Sequence, residues 1–360
     1  WDRLTTKIAG GNAPDVMQYN SYLLGEYASR GVLMDLQKFV DTNVIDLHSW
    51  DELTRGCGFR DGKLYAIPFS FTLPAAFFNA SLLEEIGLPV PASNTTMTLD
   101  EFVDFALEVQ RALDKAGMKA WALQDPGGFE NWFETFIRQR GKSILLDDNS
   151  DFGFERQDLI DYFGWVDKLR KAGAIPPSEV MAEEGGQPWE NSMLVRRRVV
   201  ITFSNSNQLK VFQRCTDDQL DILRLPVDPH GALPHGEPLD YMTSAVSAST
   251  KHPEAAALFV DFFTNNIEAQ RVLDAEHGPP ASPEVLKALE SEFSRPIKLT
   301  AAHLQEVRQS VPPYHGRPAG VRPLIDGIAK ANEEIGFGAK SIERAVDDLL
   351  REARRGLRRQ

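Results

Sequence analysis

The sequence predicts an α/β fold, on three observations. Short runs rich in Val, Ile, Phe and Tyr alternate with longer amphipathic stretches along almost the whole chain, the pattern of sheets layered with helices. The 360 residues are 42% hydrophobic and 25% charged, an ordinary globular composition with enough length for about two domains and a large core. No repeat, low-complexity run or single linker interrupts the alternation, which implies that the chain passes between domains more than once.

The elements follow in order. Trp1, Leu4 and Ile8 recur at helical spacing and Gly10-Gly11 stops them. Pro14 to Tyr19 reads as a buried strand, and Tyr22 to Arg30 as a helix ended by Gly31. Lys63 to Pro68 and Pro74 to Asn79 read as strands joined by Phe69-Ser70-Phe71-Thr72-Leu73. Ser81 to Ile86 makes a helical turn, and Pro89 and Pro91 punctuate the loop after it. Thr98 and Glu101 form a capping box ahead of the stripe Leu99, Phe102, Val103, Ala106, Val109 and Leu113, which ends at Gly117. Lys119 to Gln124 reads as a strand, Asn131 to Gln139 and Gln157 to Ala172 as helices. Arg198 to Phe203 is a β-branched strand, Asn207 to Arg214 a helix, and Asp221 to Leu225 a strand. Val227 to Leu239 is a Pro/Gly loop, and Tyr241 to Ser249 alternates as a strand does. Pro253 opens a helix expected to turn Leu258, Phe259, Phe262 and Phe263 inward. Ser282-Pro283 starts another, and Ser341 caps the last, with Ile342, Ala345, Val346, Leu349 and Ala353 as its core face.

Charge and motifs exclude several classes. Lys plus Arg number 39 against 52 Asp plus Glu, a net charge of −13, which disfavours a nucleic-acid binder. No apolar run reaches the roughly 18 residues of a membrane helix. The two cysteines, Cys57 and Cys215, are too few for a disulfide framework or a four-ligand zinc site. There is no G-x-S-x-G, H-E-x-x-H or G-x-G-x-x-G. Gly141-Lys142-Ser143 has Phe136 where a phosphate loop needs its first glycine. His230 and His235, with Asp228 nearby, form a weak metal pattern for which a solvated loop is the better reading. The carboxylate pairs Glu84-Glu85, Glu183-Glu184 and Asp347-Asp348 read as solvated faces, and the C-terminal arginines Arg351, Arg354, Arg355, Arg358 and Arg359 as complements to a helix dipole. No catalytic residue, metal or cofactor is expected.

What stands out is polar and aromatic residues at strand ends, where open α/β sheets bind ligands. Tyr19, Asn20 and Tyr22 follow one strand; Ser70 and Phe71 follow another. Glu130, Asn131 and Trp132 come after the strand at Leu123, and Ser204, Asn205 and Asn207 after that at Ile201; Asp240 and Tyr241 precede one. Amides and carboxylates match sugar hydroxyls, and aromatic rings match the apolar faces of sugar rings. Singly, Tyr19 or Phe71 reads equally well as core, Asn205 or Ser21 as a helix cap, and Trp132, at helical spacing from Phe136, as core.

Ile8 to Val16 followed by Gly31 to Leu36, Asp61 to Pro68, Asn79 with Leu82-Leu83, Gly87-Leu88, Pro91 and Thr98, then Ser249 to Ala256 and Gly278 to Pro283 form an ordered set of stretches. Together they resemble the extracytoplasmic solute-binding proteins of carbohydrate ABC importers, the maltodextrin- and oligosaccharide-binding group in particular. The resemblance spans almost the whole chain. It implies a two-lobed periplasmic-binding-protein-like fold of type II with three hinge crossings. The N-terminal lobe would be 1–74 plus 248–292 and the C-terminal lobe 75–247 plus 293–360. A sugar, expected to be an oligosaccharide, would be held between the lobes and delivered to membrane permease subunits by a monomer. Localisation would be periplasmic or extracellular, with a lipid anchor in some members; the family's leader and first strand would precede Trp1. By position, Tyr19, Asn20 and Tyr22 would face the ligand from the first lobe and Ser204, Asn205 and Asn207 from the second. Ser70 and Phe71 would lie at the hinge, Glu130, Asn131 and Trp132 would wall the second lobe, and Asp240 and Tyr241 would lie close by. The family often has a Trp near Asn207; here Trp132 or Trp189 would supply the stacking ring. Cys57 and Cys215 would fall in different lobes and stay as thiols. The alternatives are a secreted carbohydrate-active enzyme using the same cleft, or a polyol or glycerophosphodiester cargo.

Overall fold

The computed structural model describes residues 2–146, 150–309, 311 and 320–357. The chain forms two compact units: 1–72 with 239–298 in unit 1, and 73–238 with 299–312 and 320–360 in unit 2. Among the described residues it passes from one to the other at Thr72/Leu73, Pro238/Leu239 and Lys298/Leu299.

Unit 1 is built on a three-stranded sheet of β1 (Val16–Asn20), β9 (Asp240–Val246) and β4 (Ala66–Thr72), in the order β1-β9-β4. Both pairings are antiparallel. The strand expected to stop at Pro68 runs on to Thr72 through Phe69-Ser70-Phe71. A register shift between Pro68 and Ser70 absorbs the proline, and Ser70 then pairs with Met242 and Thr72 with Asp240. Residues 239–247, assigned from sequence to the C-terminal lobe, lie in unit 1 because β9 is the central strand of its sheet. A short hairpin of β2 (Phe59–Arg60) and β3 (Lys63–Leu64) precedes β4; its turn places Asp61 and Gly62 at positive φ. Met17, Tyr19, Leu24, Tyr27, Leu33, Ala66 and Ala245 form the core beside β1.

The helix Pro253–Asn265 packs on β9 and β4 through Ala256, Ala257, Val260 and Thr264, small residues that let its axis approach the sheet. The expectation that its large residues point inward is corrected. Leu258, Phe259 and Phe262 are each about half exposed, and only Phe263 reaches the sheet, edge-on to Phe69 at 4.9 Å.

Unit 2 carries a four-stranded sheet of β6 (Trp121–Leu123), β7 (Val199–Asn205), β5 (Pro74–Asn79) and β8 (Leu220–Leu223), in the order β6-β7-β5-β8. β6 and β7 are parallel; β5 runs antiparallel to both its neighbours. The longest helix, Leu99–Lys115, starts where the sequence places it: Thr98 accepts from the Glu101 amide at 3.2 Å and the Glu101 carboxylate accepts from the Thr98 amide at 2.8 Å. Its stripe Phe102, Val103, Ala106, Val109 and Leu113 is buried. The helices Glu130–Gln139, Arg156–Lys171, Arg322–Gly336 and Ile342–Leu357 add to the same core.

Candidate functional site

Parallel β6 and β7 run side by side in unit 2, β7 continuing to Asn205 beyond the last pair Leu123–Ile201, and a cavity opens at their carboxyl ends. The β-branched run Val199, Val200, Ile201 and Thr202 drives β7 through the core. Beyond it the backbone is tied down at Ser206, whose amide donates to the Leu73 carbonyl at 2.7 Å and whose hydroxyl accepts from the Leu73 amide at 3.1 Å. Thr202 Oγ1 donates to Gln124 Oε1 at 2.9 Å, joining the two strand ends, and the Ser204 hydroxyl contacts Gln208 Oε1. Asn131 Nδ2 donates to Asn205 Oδ1 at 2.8 Å.

A cavity of about 480 Å³ opens on this edge, lined by Gln124, Thr202, Phe203, Ser204, Gln208 and Phe212 and by the segment Gly185–Trp189 with Ser192. Its aromatic wall is Trp189, half-buried on the one-turn helix Trp189–Asn191 and edge-on to Phe212 at 5.9 Å. No lining residue carries a charge. Two acids adjoin the lining segment in sequence: Glu190 is exposed, and Glu184 is engaged by Arg198 through two 2.9 Å bonds that hold its carboxyl below the usual range, the same guanidinium lying 5.0 Å over Trp121. Hydroxyl and amide groups beside an exposed ring form a surface for a neutral, hydroxyl-rich guest.

Of the residues expected in this unit, Ser204 lines the cavity; Asn131 and Asn205 are bonded to each other, and Asn207 precedes the helix Gln208–Arg214. Glu130 is half-buried at the first turn of Glu130–Gln139. Trp132 is placed differently. It is fully buried, with Phe136, Tyr162, Trp165 and Phe203 around it at 5.5–6.4 Å, so its ring offers no face to a ligand and instead backs Phe203. Its i,i+4 spacing to Phe136 is the core stripe of its helix. Gln124, Thr202 and Gln208 escaped the sequence reading. Their signal was position: Gln124 directly follows a strand, and Gln208 opens the helix after β7, across the turn at 206–207 from Ser204.

In unit 1, the sheet register brings Asn20, Thr72 and Asp240 to one end: Asn20 and Ser70 both pair with Met242, and Thr72 pairs with Asp240. Asn20 Oδ1 is buried without a hydrogen-bond partner among the described residues. Tyr19, Phe71, Ser70 and Tyr241, expected at a ligand surface or hinge, are buried. Tyr19 packs on Tyr27 at 4.8 Å, Tyr241 accepts from Arg60 Nη2 at 2.9 Å, and Ser70 donates to the His277 carbonyl at 3.0 Å. Tyr19 and Tyr241 take the inward phase of their strands, whereas β4 is buried along its whole length, Phe71 included. Tyr22 lies on the helix Ser21–Ser29, and its side chain is outside the described residues.

The histidine pattern weighed for a metal is taken up otherwise. His235 Nε2 accepts from Arg224 at 2.8 Å, Asp228 pairs with Arg140 at 3.0 Å, and His230 is exposed. A guanidinium on His235 repels a metal cation, and no metal-ligand cluster occurs among the described residues. Cys57 and Cys215 are free thiols, one in each unit.

Comparison with known proteins agrees with this architecture. Residues 1–301 match the model of the bacterial extracellular solute-binding protein family. A curated relative, an uncharacterized lipoprotein in the oleD 5′ region of Streptomyces antibioticus, is 23% identical over 292 residues, covering 79% of this chain; the chain spans 62% of that relative's length. Three solved structures show the fold. A periplasmic solute-binding protein of Pectobacterium atrosepticum superposes with a TM-score of 0.84 at 21% identity, covering 99% of this chain and 88% of that one. A periplasmic oligogalacturonide-binding protein of Yersinia enterocolitica, in complex with saturated digalacturonic acid, gives 0.82 at 19% identity and the same coverage. An ABC substrate-binding protein of Listeria monocytogenes, in complex with cycloalternan, gives 0.79 at 21% identity, covering 98% of this chain and 87% of that one. With its two units, its helix-flanked sheets and a family match running over 301 of 360 residues, the chain belongs to the bacterial extracellular solute-binding proteins.

Proposed function

We propose that the protein captures an oligosaccharide outside the cytoplasm and passes it, chemically intact, to the permease of an ABC importer. The observation that carries this reading is the uncharged cavity at the ends of β6 and β7, where Trp189 stands beside Ser204, Gln208, Thr202 and Gln124. The ring covers one face of a pyranose, and the amides and hydroxyls satisfy its hydroxyl groups, each of which costs about 1–3 kcal/mol if left unpaired. Sugar-bound relatives of the same fold support the reading, and the lipoprotein relative supports a membrane-anchored parent chain. Asn205, Asn207 and Glu130, also in unit 2, are further candidate contacts. A monomer delivering to permease subunits completes the proposal.

Isothermal titration calorimetry against neutral mono- and oligosaccharides tests it. Binding with a Kd in the micromolar range, about −8 kcal/mol, is expected for at least one sugar. A chain that binds polyols or glycerophosphodiesters but no sugar contradicts it.

A further inference from the structure

A second cavity, of about 230 Å³, shares Gly185 and Gly186 with the first. Its walls include Asp125, Ser178, Met181, Ala329, Asn332 and Phe337, all in unit 2. It is smaller than the roughly 300 Å³ at which pockets for drug-sized ligands begin, which suits one ring.

The polar groups of this cavity are held in place. Arg170 Nη2 donates to Asp125 Oδ2 at 2.7 Å and to Asn332 Oδ1 at 3.0 Å, and the Gly127 amide donates to Asp125 Oδ1 at 2.8 Å. With its oxygen engaged by Arg170, Asn332 presents its amide Nδ2 as a donor. Gly127 and Gly336 are required for this: a Cβ at Gly127 would collide with the Asn332 side chain, and one at Gly336 with the Ser178 hydroxyl. Phe337, 49% exposed, supplies an aromatic face, and Ala329 and Met181 an apolar surface. The cavity therefore shares with the first a ring beside fixed donors and acceptors, and differs in carrying the Asp125 carboxylate, which is paired with Arg170. The shared wall bears no side chain: a Cβ on Gly185 would meet the Met181 carbonyl at 2.5 Å and its terminal methyl at 2.7 Å, whereas one on Gly186 would meet nothing within 4 Å, so Gly186 is the open point at which a chain of sugars can cross. Glu333, exposed at the rim, disfavours an acidic sugar there.

We propose that this cavity is a second sugar subsite, reached across Gly185-Gly186, and that the ligand is an uncharged oligosaccharide of at least two rings. The proposal rests on the sugar-binding reading of the first cavity and extends it. The test is calorimetric titration of the full chain with the mono-, di- and trisaccharides of glucose (α-1,4), galactose (β-1,4) and xylose (β-1,4), with the galacturonic acid series alongside. Wild type is compared with Ala329→Trp, which fills only the smaller cavity, and with Phe337→Ser, which removes its ring. Ala329 and Phe337 are both exposed, and circular dichroism melting checks folding. The expected result is a neutral disaccharide bound at least tenfold tighter than its monosaccharide, with both substitutions abolishing that gain and leaving monosaccharide affinity unchanged. Equal affinity for all lengths, or a gain untouched by either substitution, overturns the second subsite and leaves the first cavity standing. A preference for the galacturonic series overturns the uncharged ligand class. No binding of any sugar overturns the subsite together with the reading on which it rests.

Discussion

Trp189 and Trp132 are the same residue type in opposite situations, and the difference separates two mutational outcomes. Trp189 is half-buried with part of its ring open to the cavity. Trp189→Ala is expected to weaken sugar binding by tenfold or more, read by calorimetry, while moving stability little, because few core contacts are lost. Trp132 is enclosed by aromatic rings, and Trp132→Ala is expected to cost about 3–5 kcal/mol of unfolding free energy by denaturant titration. An unchanged midpoint would show that the ring is not the packing centre the structure makes it. The same logic applies to Tyr19, buried against Tyr27 and Met17. From sequence, a Trp or Tyr next to an amide at a strand end has the same appearance whether its side chain points into the core or out of it. Only the phase of the strand or helix decides, and a shift of one residue reverses it.

At the scale of elements, the helix Leu99–Lys115 was legible because its signals are local. Thr98 and Glu101 cap it, Gly117 adopts a φ of 68° just past its end, and a single stripe is apolar. Thr98→Ala is expected to lower stability by about 1 kcal/mol, and a loss below about 0.3 kcal/mol in thermal unfolding would mean the cap is idle. The continuation of β4 through Phe69-Ser70-Phe71-Thr72 was not legible, because the partner that makes it a strand, β9, lies some 170 residues further along the chain. The Pro253–Asn265 helix misled for a related reason. Its large residues suggest a core face, but the sheet selects the Ala and Val face that fits closest. The elements of unit 2 that place Gln124, Thr202 and Ser204 together were read individually; their adjacency comes from the parallel β6–β7 pairing, a long-range fact.

For the molecule as a whole, stability carries a pH dependence written into unit 2. Arg224 and Glu237 form a buried ion pair at 3.2 Å, with His235 on Arg224 and Glu306 at 3.3 Å; His303 lies close by, its Nδ1 3.0 Å from Asn94 Oδ1. Burial, with Arg224 adding to it, pushes the His303 pKa down to about 4, against an ordinary value of 6.5, and burial lowers that of His235 as well. His303 is neutral in the folded chain above about pH 4. Between about pH 6.5 and 4 the unfolded chain's His303 takes up a proton that the folded chain refuses, so this contribution to stability is full above that window and declines through it as pH falls. For His303 the decline amounts to about 3 kcal/mol. His303→Asn is expected to flatten the fall between pH 6.5 and 4 in denaturant-derived stability; an unchanged slope would show that the decline arises elsewhere. The fold class was readable from the alternation of elements, whereas this network was not, because Arg224 and Glu237 lie in a Pro/Gly loop region with no motif and His303 comes from a distant helix.

The proposed function requires that a sugar be held and released unaltered. The most direct measurement mixes the protein with a neutral oligosaccharide that binds in calorimetry, separates the complex by gel filtration, denatures it, and identifies the released sugar by mass spectrometry. Stoichiometric recovery of the intact oligosaccharide after prolonged incubation is the expected result. Recovery of shorter fragments would instead make the protein a carbohydrate-active enzyme, and a failure of any sugar to co-elute would remove the claim.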